Sequence, residues 1–190
     1  DADILFDGTS LEPFRPNEWI LKDGYVVEGQ GGLTSKKAYG DCQFHIEWRT
    51  PDPSVVSLNA RMGNSGIFFG PLYELQILNS AGKESPGLGD CGAIYQICVP
   101  DVNAALGPNA WQAVDLEFQA ASIGANGFMT EKGAARVTVR LNGKLIHDDV
   151  RLSLRRNKYA AYPEEPLSHI VLQEHGSPVK FRNIWLVESE

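Results

Sequence analysis

At 190 residues, with 43% hydrophobic and 22% charged side chains, the chain can bury a proper core, and its ordinary globular composition excludes a disordered or fibrous protein. A net charge of −7, with no basic cluster longer than Arg155-Arg156, would repel a phosphate backbone and excludes nucleic acid as a partner. The longest uncharged apolar stretches, such as Ile67 to Leu72, fall far short of the roughly 20 residues that cross a bilayer, so no membrane span is expected.

Short runs of alternating apolar residues, separated by Gly, Pro, Asn and Asp, recur from end to end, and no stretch of a dozen residues keeps helical periodicity. That pattern predicts one all-β domain over residues 1–190, a two-sheet antiparallel sandwich. In chain order, strands are expected at Gly24–Glu28, Cys42–Thr50, Gly66–Phe69, Tyr73–Leu78, Ala93–Val99 and Gln112–Gln119. They continue at Ala135–Leu141, Lys144–His147, His169–Gln173 and Lys180–Val187. Asn142-Gly143 joins two of these as a tight hairpin, because both residues tolerate positive φ. The connections Pro51–Gly63, Asn79–Gly92, Ala121–Gly133 and Val150–Pro166 are rich in turn residues and are expected to frame a binding face.

Side chains alternate across a strand, so Phe44, Ile46 and Trp48 face a core while His45, Glu47 and Arg49 share the other side. The same logic pairs Glu74 with Gln76 and Gln173 with His175. Rows of Glu, Gln, His and Arg, with Asn64 just upstream, suit sugar hydroxyls through bidentate hydrogen bonds, whereas plain solvated faces favour Lys, Thr and Ser. A carbohydrate groove is therefore expected, with Glu47, Glu74 and His175 as catalytic candidates and Arg49, Asn64, Gln76 and Gln173 as substrate-binding ones. Two carboxylates opposed across it would suit acid/base work on a glycosidic bond. His175 adds a group that titrates near neutrality. His45, His147 and His169 are read as structural or exposed, and Trp19, Trp48, Trp111 and Trp185 as core aromatics. The usual hydrolase elbow, phosphate loop and dinucleotide fingerprint do not occur in the sequence.

Cys42, Cys91 and Cys98 allow at most one internal disulfide and lack the spacing of a zinc site. A divalent cation such as calcium has one place to be considered, the oxygen-rich loop with Glu84 and Asp90, although no recognised calcium spacing is present.

Several blocks make the sequence recognisable: Leu5-Phe6-Asp7-Gly8-Thr9-Ser10-Leu11, Tyr39-Gly40-Asp41, Gly63-Asn64-Ser65-Gly66-Ile67-Phe68 and Tyr73-Glu74-Leu75-Gln76-Ile77-Leu78. Gly92-Ala93-Ile94-Tyr95, Leu141-Asn142-Gly143, Leu172-Gln173-Glu174-His175-Gly176 and Phe181-Arg182-Asn183-Ile184-Trp185 follow in order. Through them the chain resembles the 3-keto-disaccharide hydrolase family over nearly its whole length. It departs from the family pattern at Glu174 and Asn79, where Asp is usual, and at an insertion over Pro51–Met62. The resemblance implies a concanavalin-A-like lectin/glucanase sandwich of the jelly-roll type, a small saccharide or 3-keto-glycoside as partner, and secreted or periplasmic placement. A start at Asp1 rather than Met is consistent with a leader already removed. The resemblance also implies cleavage assisted by a carbon-3 ketone; strand facing then makes Glu74 or His175 the expected base, Glu47 the proton donor or orienting acid, and Arg49 or a bound cation the group that stabilises the enolate. Two other readings stay open: an ordinary β-glycosidase using Glu47 and Glu74, and a non-catalytic sugar-binding module.

Overall fold

The computed structural model describes residues 1–58, 62–70, 72–126, 133–152 and 165–189. Parts of the expected loops Pro51–Gly63, Ala121–Gly133 and Val150–Pro166, including Arg155-Arg156, lie outside these residues. The described chain forms twelve strands: β1 (Asp3–Phe6), β2 (Ile20–Lys22), β3 (Tyr25–Val27), β4 (Leu33–Tyr39), β5 (Cys42–Arg49), β6 (Ser65–Phe69), β7 (Tyr73–Ile77), β8 (Gln112–Gln119), β9 (Arg136–Leu141), β10 (Lys144–Arg151), β11 (Ser168–Leu172) and β12 (Lys180–Glu188). They build two antiparallel sheets. The larger runs β10-β9-β8-β5-β12-β3-β2 with β1 added on β12, and the smaller runs β4-β11-β6-β7.

The sheets meet through the inward residues of each strand. Phe44, Ile46 and Trp48 of β5, Val114, Leu116 and Phe118 of β8, and Phe181, Ile184 and Leu186 of β12 are all buried. Ile67 and Phe69 of β6, Tyr73, Leu75 and Ile77 of β7, and Ile170 and Leu172 of β11 face them. The ring of Phe69 sits edge-on to Phe44 at 5.6 Å and stacked on Phe118 at 4.7 Å, so aromatic contacts tie the two layers together.

Three strands have no counterpart among the expected ones. β1 and β2 hold only four and three residues, too few for alternation to show. β4 carries Lys36 and Lys37, both exposed, where its pairing with β11 slips; as an edge strand, it is the place where lysines discourage further pairing. The segment expected as a strand at Ala93–Val99 is instead a folded-back cap. Gly92 and Tyr95 N–H donate to Gln76 O and Glu74 O, covering the free edge of β7, and a tight turn then brings Cys98 N–H to Ile94 O at 3.0 Å. β10 runs to Arg151, beyond the expected end at His147. At the hairpin, Asn142 (φ 52°) and Gly143 (φ 78°) both adopt the left-handed region, as the dipeptide predicts.

All three cysteines are free thiols, and burial pushes Cys42 up to about 12 and Cys91 up to about 11, which keeps both protonated. Trp19 and Trp48 are core residues as expected, but Trp111 and Trp185 are half-buried on the outer side of the large sheet. No helix among the described residues is long and apolar enough to cross a membrane. Phe118→Ala, which removes the ring stacked on Phe69, should cost about 3–5 kcal/mol of unfolding free energy, read from the urea midpoint.

Candidate functional site

The outer face of the small sheet carries an ordered grid. Inward Tyr73, Leu75 and Ile77 send Glu74 and Gln76 outward, and inward Ile67 and Phe69 do the same for Gly66 and Phe68. Register sets Gly66 opposite Gln76 and Phe68 opposite Glu74. On the other side of β6, Val171 lies opposite Phe68, and Gln173 N–H donates to Gly66 O at 2.9 Å. Glu74, Gln76, Gln173, Asn64 and His175 thus converge on one face, as expected from the sequence.

Gly66 is where this face is tightest. A Cβ there would lie 2.7 Å from Glu74 Oε1 and 2.9 Å from Glu74 Cγ, so the Glu74 side chain rests over bare backbone. Glu74 is 3% exposed, and Gln76 is 5% exposed. The Gln76 amide is satisfied when turned so that its nitrogen donates to Glu74 Oε1 and Ser65 O, both at 3.1 Å. The other end of Gln76 meets Asn64 at 3.3 Å, and the Asn64 amide meets His175 Nδ1 at 3.1 Å. A continuous chain of hydrogen-bonding groups therefore runs from the exposed imidazole of His175 through Asn64 and Gln76 to the buried Glu74 carboxylate. Gln173 Oε1 is buried without a hydrogen-bond partner among the described residues.

The turn carrying His175 is held from below by Glu28, a residue that sequence reasoning missed. Glu28 Oε1 accepts the N–H groups of His175 at 2.8 Å and Ser177 at 3.0 Å, and Ser177 Oγ accepts Asn64 N–H at 3.2 Å. Desolvation raises the Glu28 carboxyl to about 7, against the pull of the His175, Ser177 and Gly176 backbone N–H groups, and the nearby Glu174 charge adds to the rise. No local pattern flags Glu28: it follows β3 by one residue, and the nearer of its partners stands 147 positions further along the chain.

Glu47 and Arg49 are not in this groove, which corrects the expectation of a shared one. They project from the outer side of the large sheet, since their neighbours Ile46 and Trp48 fill the core, so the whole sandwich separates Glu47 from Glu74. The expected carboxylate pair does not form. Glu47 instead receives Arg182 Nε at 2.6 Å and Asn183 Nδ2 at 2.9 Å. Desolvation would raise its carboxyl, but these two donors and the Arg182 charge outweigh it and hold the group below the usual carboxylate range. A bulge in β12 makes this possible: three residues from Arg182 to Trp185 span two on β5, and Asn183 takes a left-handed φ of 48°. Arg49 stacks over Trp111 at 4.9 Å.

The remaining histidines are structural or surface groups. His45 pairs with Asp115 at 2.7 Å and stacks on Trp185, buried His147 contacts Gly92 O at 2.7 Å, and His169 contacts Arg15 at 2.7 Å. Asp90, considered for calcium, is occupied by the Lys83 ammonium at 2.6 Å and by Gly87 N–H. Among the described residues no group of three or more His, Cys, Asp or Glu side chains could hold a metal ion. Asn79, one of the departures from the family pattern, accepts the Thr50 hydroxyl at 2.5 Å.

The profile of the 3-keto-alpha-glucoside-1,2-lyase-like domain matches residues 1–187. Among solved structures, a Parabacteroides distasonis protein provisionally described as a glycosyl hydrolase is 30% identical, with a TM-score of 0.86 over 100% of this chain and 84% of its own. Another from the same organism, with the same description, is 21% identical with a TM-score of 0.70 over 100% of both chains, which shows the fold. A mutant of alginate lyase Aly36B in complex with alginate tetrasaccharide shares the fold more distantly, at 12% identity and a TM-score of 0.51 over 94% of this chain and 86% of its own. No curated protein matches the chain. The likenesses to the family and to the first of these structures make this a carbohydrate-active protein.

Two outcomes follow from the geometry. Gly66→Ala should push the Glu74 side chain off the Gln76 amide, lowering the melting temperature as a buried carboxylate loses its donor and weakening saccharide binding, checked by a thermal melt beside ligand titration. Between about 4.5 and about 7 the folded chain keeps on Glu28 a proton that the unfolded chain has lost, so this group makes stability fall as pH rises through that window. Glu28→Gln, which keeps an acceptor oxygen for both N–H groups, should remove this part of the slope in urea midpoints compared at pH 4.5 and 8.

Proposed function

The chain belongs to the 3-keto-alpha-glucoside-1,2-lyase-like family, and on that footing we propose that it cleaves glycosides whose sugar carries a ketone at carbon 3. The observation that carries this reading is the line of hydrogen-bonding groups from His175 to Glu74. With both amides turned the same way, His175 Nδ1–H donates to the Asn64 carbonyl, the Asn64 nitrogen to the Gln76 carbonyl, and the Gln76 nitrogen to Glu74 Oε1. A carboxylate can only accept, so Glu74 sets the direction of the whole line. The neutral imidazole then carries its proton on Nδ1 and presents Nε2 as an exposed lone pair, which is what a general base requires.

A carbon-3 ketone acidifies the hydrogen on carbon 2. His175 Nε2 takes that proton, and the C–H electron pair moves into a carbon-2 to carbon-3 double bond, with the negative charge on the ketone oxygen. When the enolate collapses, the pair forms a carbon-1 to carbon-2 double bond and the bond from carbon 1 to the aglycone oxygen breaks. The aglycone oxygen leaves with the proton that His175 took from carbon 2, which restores the neutral imidazole, and water adding across the new double bond, hydroxyl to carbon 1 and hydrogen to carbon 2, yields the free 3-keto sugar. With Gln76 spent inside the line, the second N–H of Asn64 and the Gln173 amide hold hydroxyls and supply donors near the developing oxyanion. Glu47 and Arg49 take no part, because they lie beyond the sandwich. An ordinary glycosidase mechanism needs two carboxyl groups within roughly 5–10 Å across one substrate, and Glu74 has no such partner in Glu47.

The test is cleavage of a 3-keto-glucoside and its unoxidised parent side by side. The keto sugar alone should turn over, with a primary isotope effect when carbon 2 carries deuterium. His175→Ala should lower kcat by about 10²- to 10⁴-fold, and Glu74→Gln, which removes the obligatory acceptor, should also lower it. Turnover of the parent, or a His175→Ala variant as active as the wild type, would overturn the assignment.

A further inference from the structure

The polar end of the small sheet's outer face passes directly into an apolar groove. It has a volume of about 470 Å³, the size of a small-ligand pocket; most of its surface is carbon, from residues such as Gly32, Phe68, Gly70 and Val171, and its described polar lining is Thr34, Glu165, Ser168, His169, Gln173 and Glu174. Register makes it continuous with the polar grid, since Thr34, Val171, Phe68 and Glu74 form one row across β4, β11, β6 and β7. Moving along that row from Glu74, the surface changes from carboxylate to aromatic ring, to isopropyl, to the methyl-bearing Thr34. Two glycines leave this end open. A Cβ at Gly32 would lie 3.1 Å from Val171 Cγ1, and one at Gly70 would lie 2.7 Å from Ser168 Oγ. His169 at the far end is already committed to Arg15 and to Lys37 O.

A second hexose in this groove would bring hydroxyls all round its ring, and the polar groups of the lining are a minority of a mostly carbon surface, so some of those hydroxyls would be buried without partners, which is costly. A flat apolar group would gain by the same contact. We infer that the groove is the aglycone subsite and that it takes an apolar, aryl-type aglycone rather than a second sugar, with Gln173 at the junction between the two halves of the substrate. This rests on the keto-sugar reading for the placing of the sugar ring at Glu74, Gln76 and His175.

Binding of unoxidised phenyl, methyl and glucosyl glucosides of one anomeric configuration, followed by NMR titration of the intact chain, tests the inference without turnover. The phenyl glucoside should bind on the order of tenfold more tightly than the methyl glucoside, and the glucosyl glucoside should gain no comparable advantage. Gly32→Val, which fills the groove beside Val171, and Val171→Asn, which makes its wall polar, should each bring the phenyl-to-methyl ratio towards one and leave methyl glucoside affinity unchanged. Equal binding of phenyl and methyl forms, tighter binding of the disaccharide, a ratio untouched by both substitutions, or no binding at all would overturn it. If the binding ratio behaves as expected but the 3-keto phenyl glucoside is not cleaved, the keto-sugar reading falls and the subsite stands.

Discussion

The ring of Phe69, set against Phe44 and Phe118 of the opposite sheet, decides which way β6 faces. Because side chains alternate with a period of two, that one inward commitment sends Phe68 and Gly66 outward and, through the pairing of β6 with β7, sends Glu74 and Gln76 with them. A slip of one residue would bury the carboxylate against aromatic rings and expose Ile67 and Phe69. The candidate site therefore follows from the packing of the core, and its polar groups are held by strands whose other side is apolar and close-packed.

On that face the chemistry depends on an absence. Gly66 has no side chain, so the Glu74 carboxylate can lie across the sheet within reach of the Gln76 amide. Both groups are nearly inaccessible, and a buried carboxylate is tolerated only where donors meet it. The line of amides reaches the surface through part-buried Asn64 at His175, whose turn is pinned by Glu28 and Ser177. The network thus ends in one exposed imidazole. The opposite face of the molecule holds a second charged cluster, Glu47 with Arg182 and Asn183, whose groups satisfy one another and close a bulge in β12.

Much of the fold was legible in the sequence because alternation was clean where strands are long and half-buried. Residues Gln112–Gln119 show it best, with bounds that match β8. It failed where local sequence and pairing disagree. Ala93–Val99 has strand-like composition but is turned back on itself after covering an edge, with Gln96 at a φ of 60°. In β4, Lys36 and Lys37 interrupt the pattern because an edge strand is free to carry them. Trp111 and Trp185 were expected inside, yet they lie beneath guanidinium and imidazole groups on the outer side of the large sheet.

For the site, the sequence by itself determined which residues look away from a core: Glu74 with Gln76, Gln173 with His175, and Glu47 with Arg49, each pair from the two-residue period of its own strand. It also carried, in its ordered blocks, the family to which the chain belongs. Only the tertiary structure decided which outward pairs share a face. A sandwich has two outer faces, and strand periodicity is identical on both, so nothing local separates Glu47 from Glu74. The same holds for Glu28, whose role comes from N–H groups on a turn 147 residues away. Alternation is a property of the strand, whereas convergence is a property of the sheet order, and sheet order is settled by which apolar faces find one another across the core.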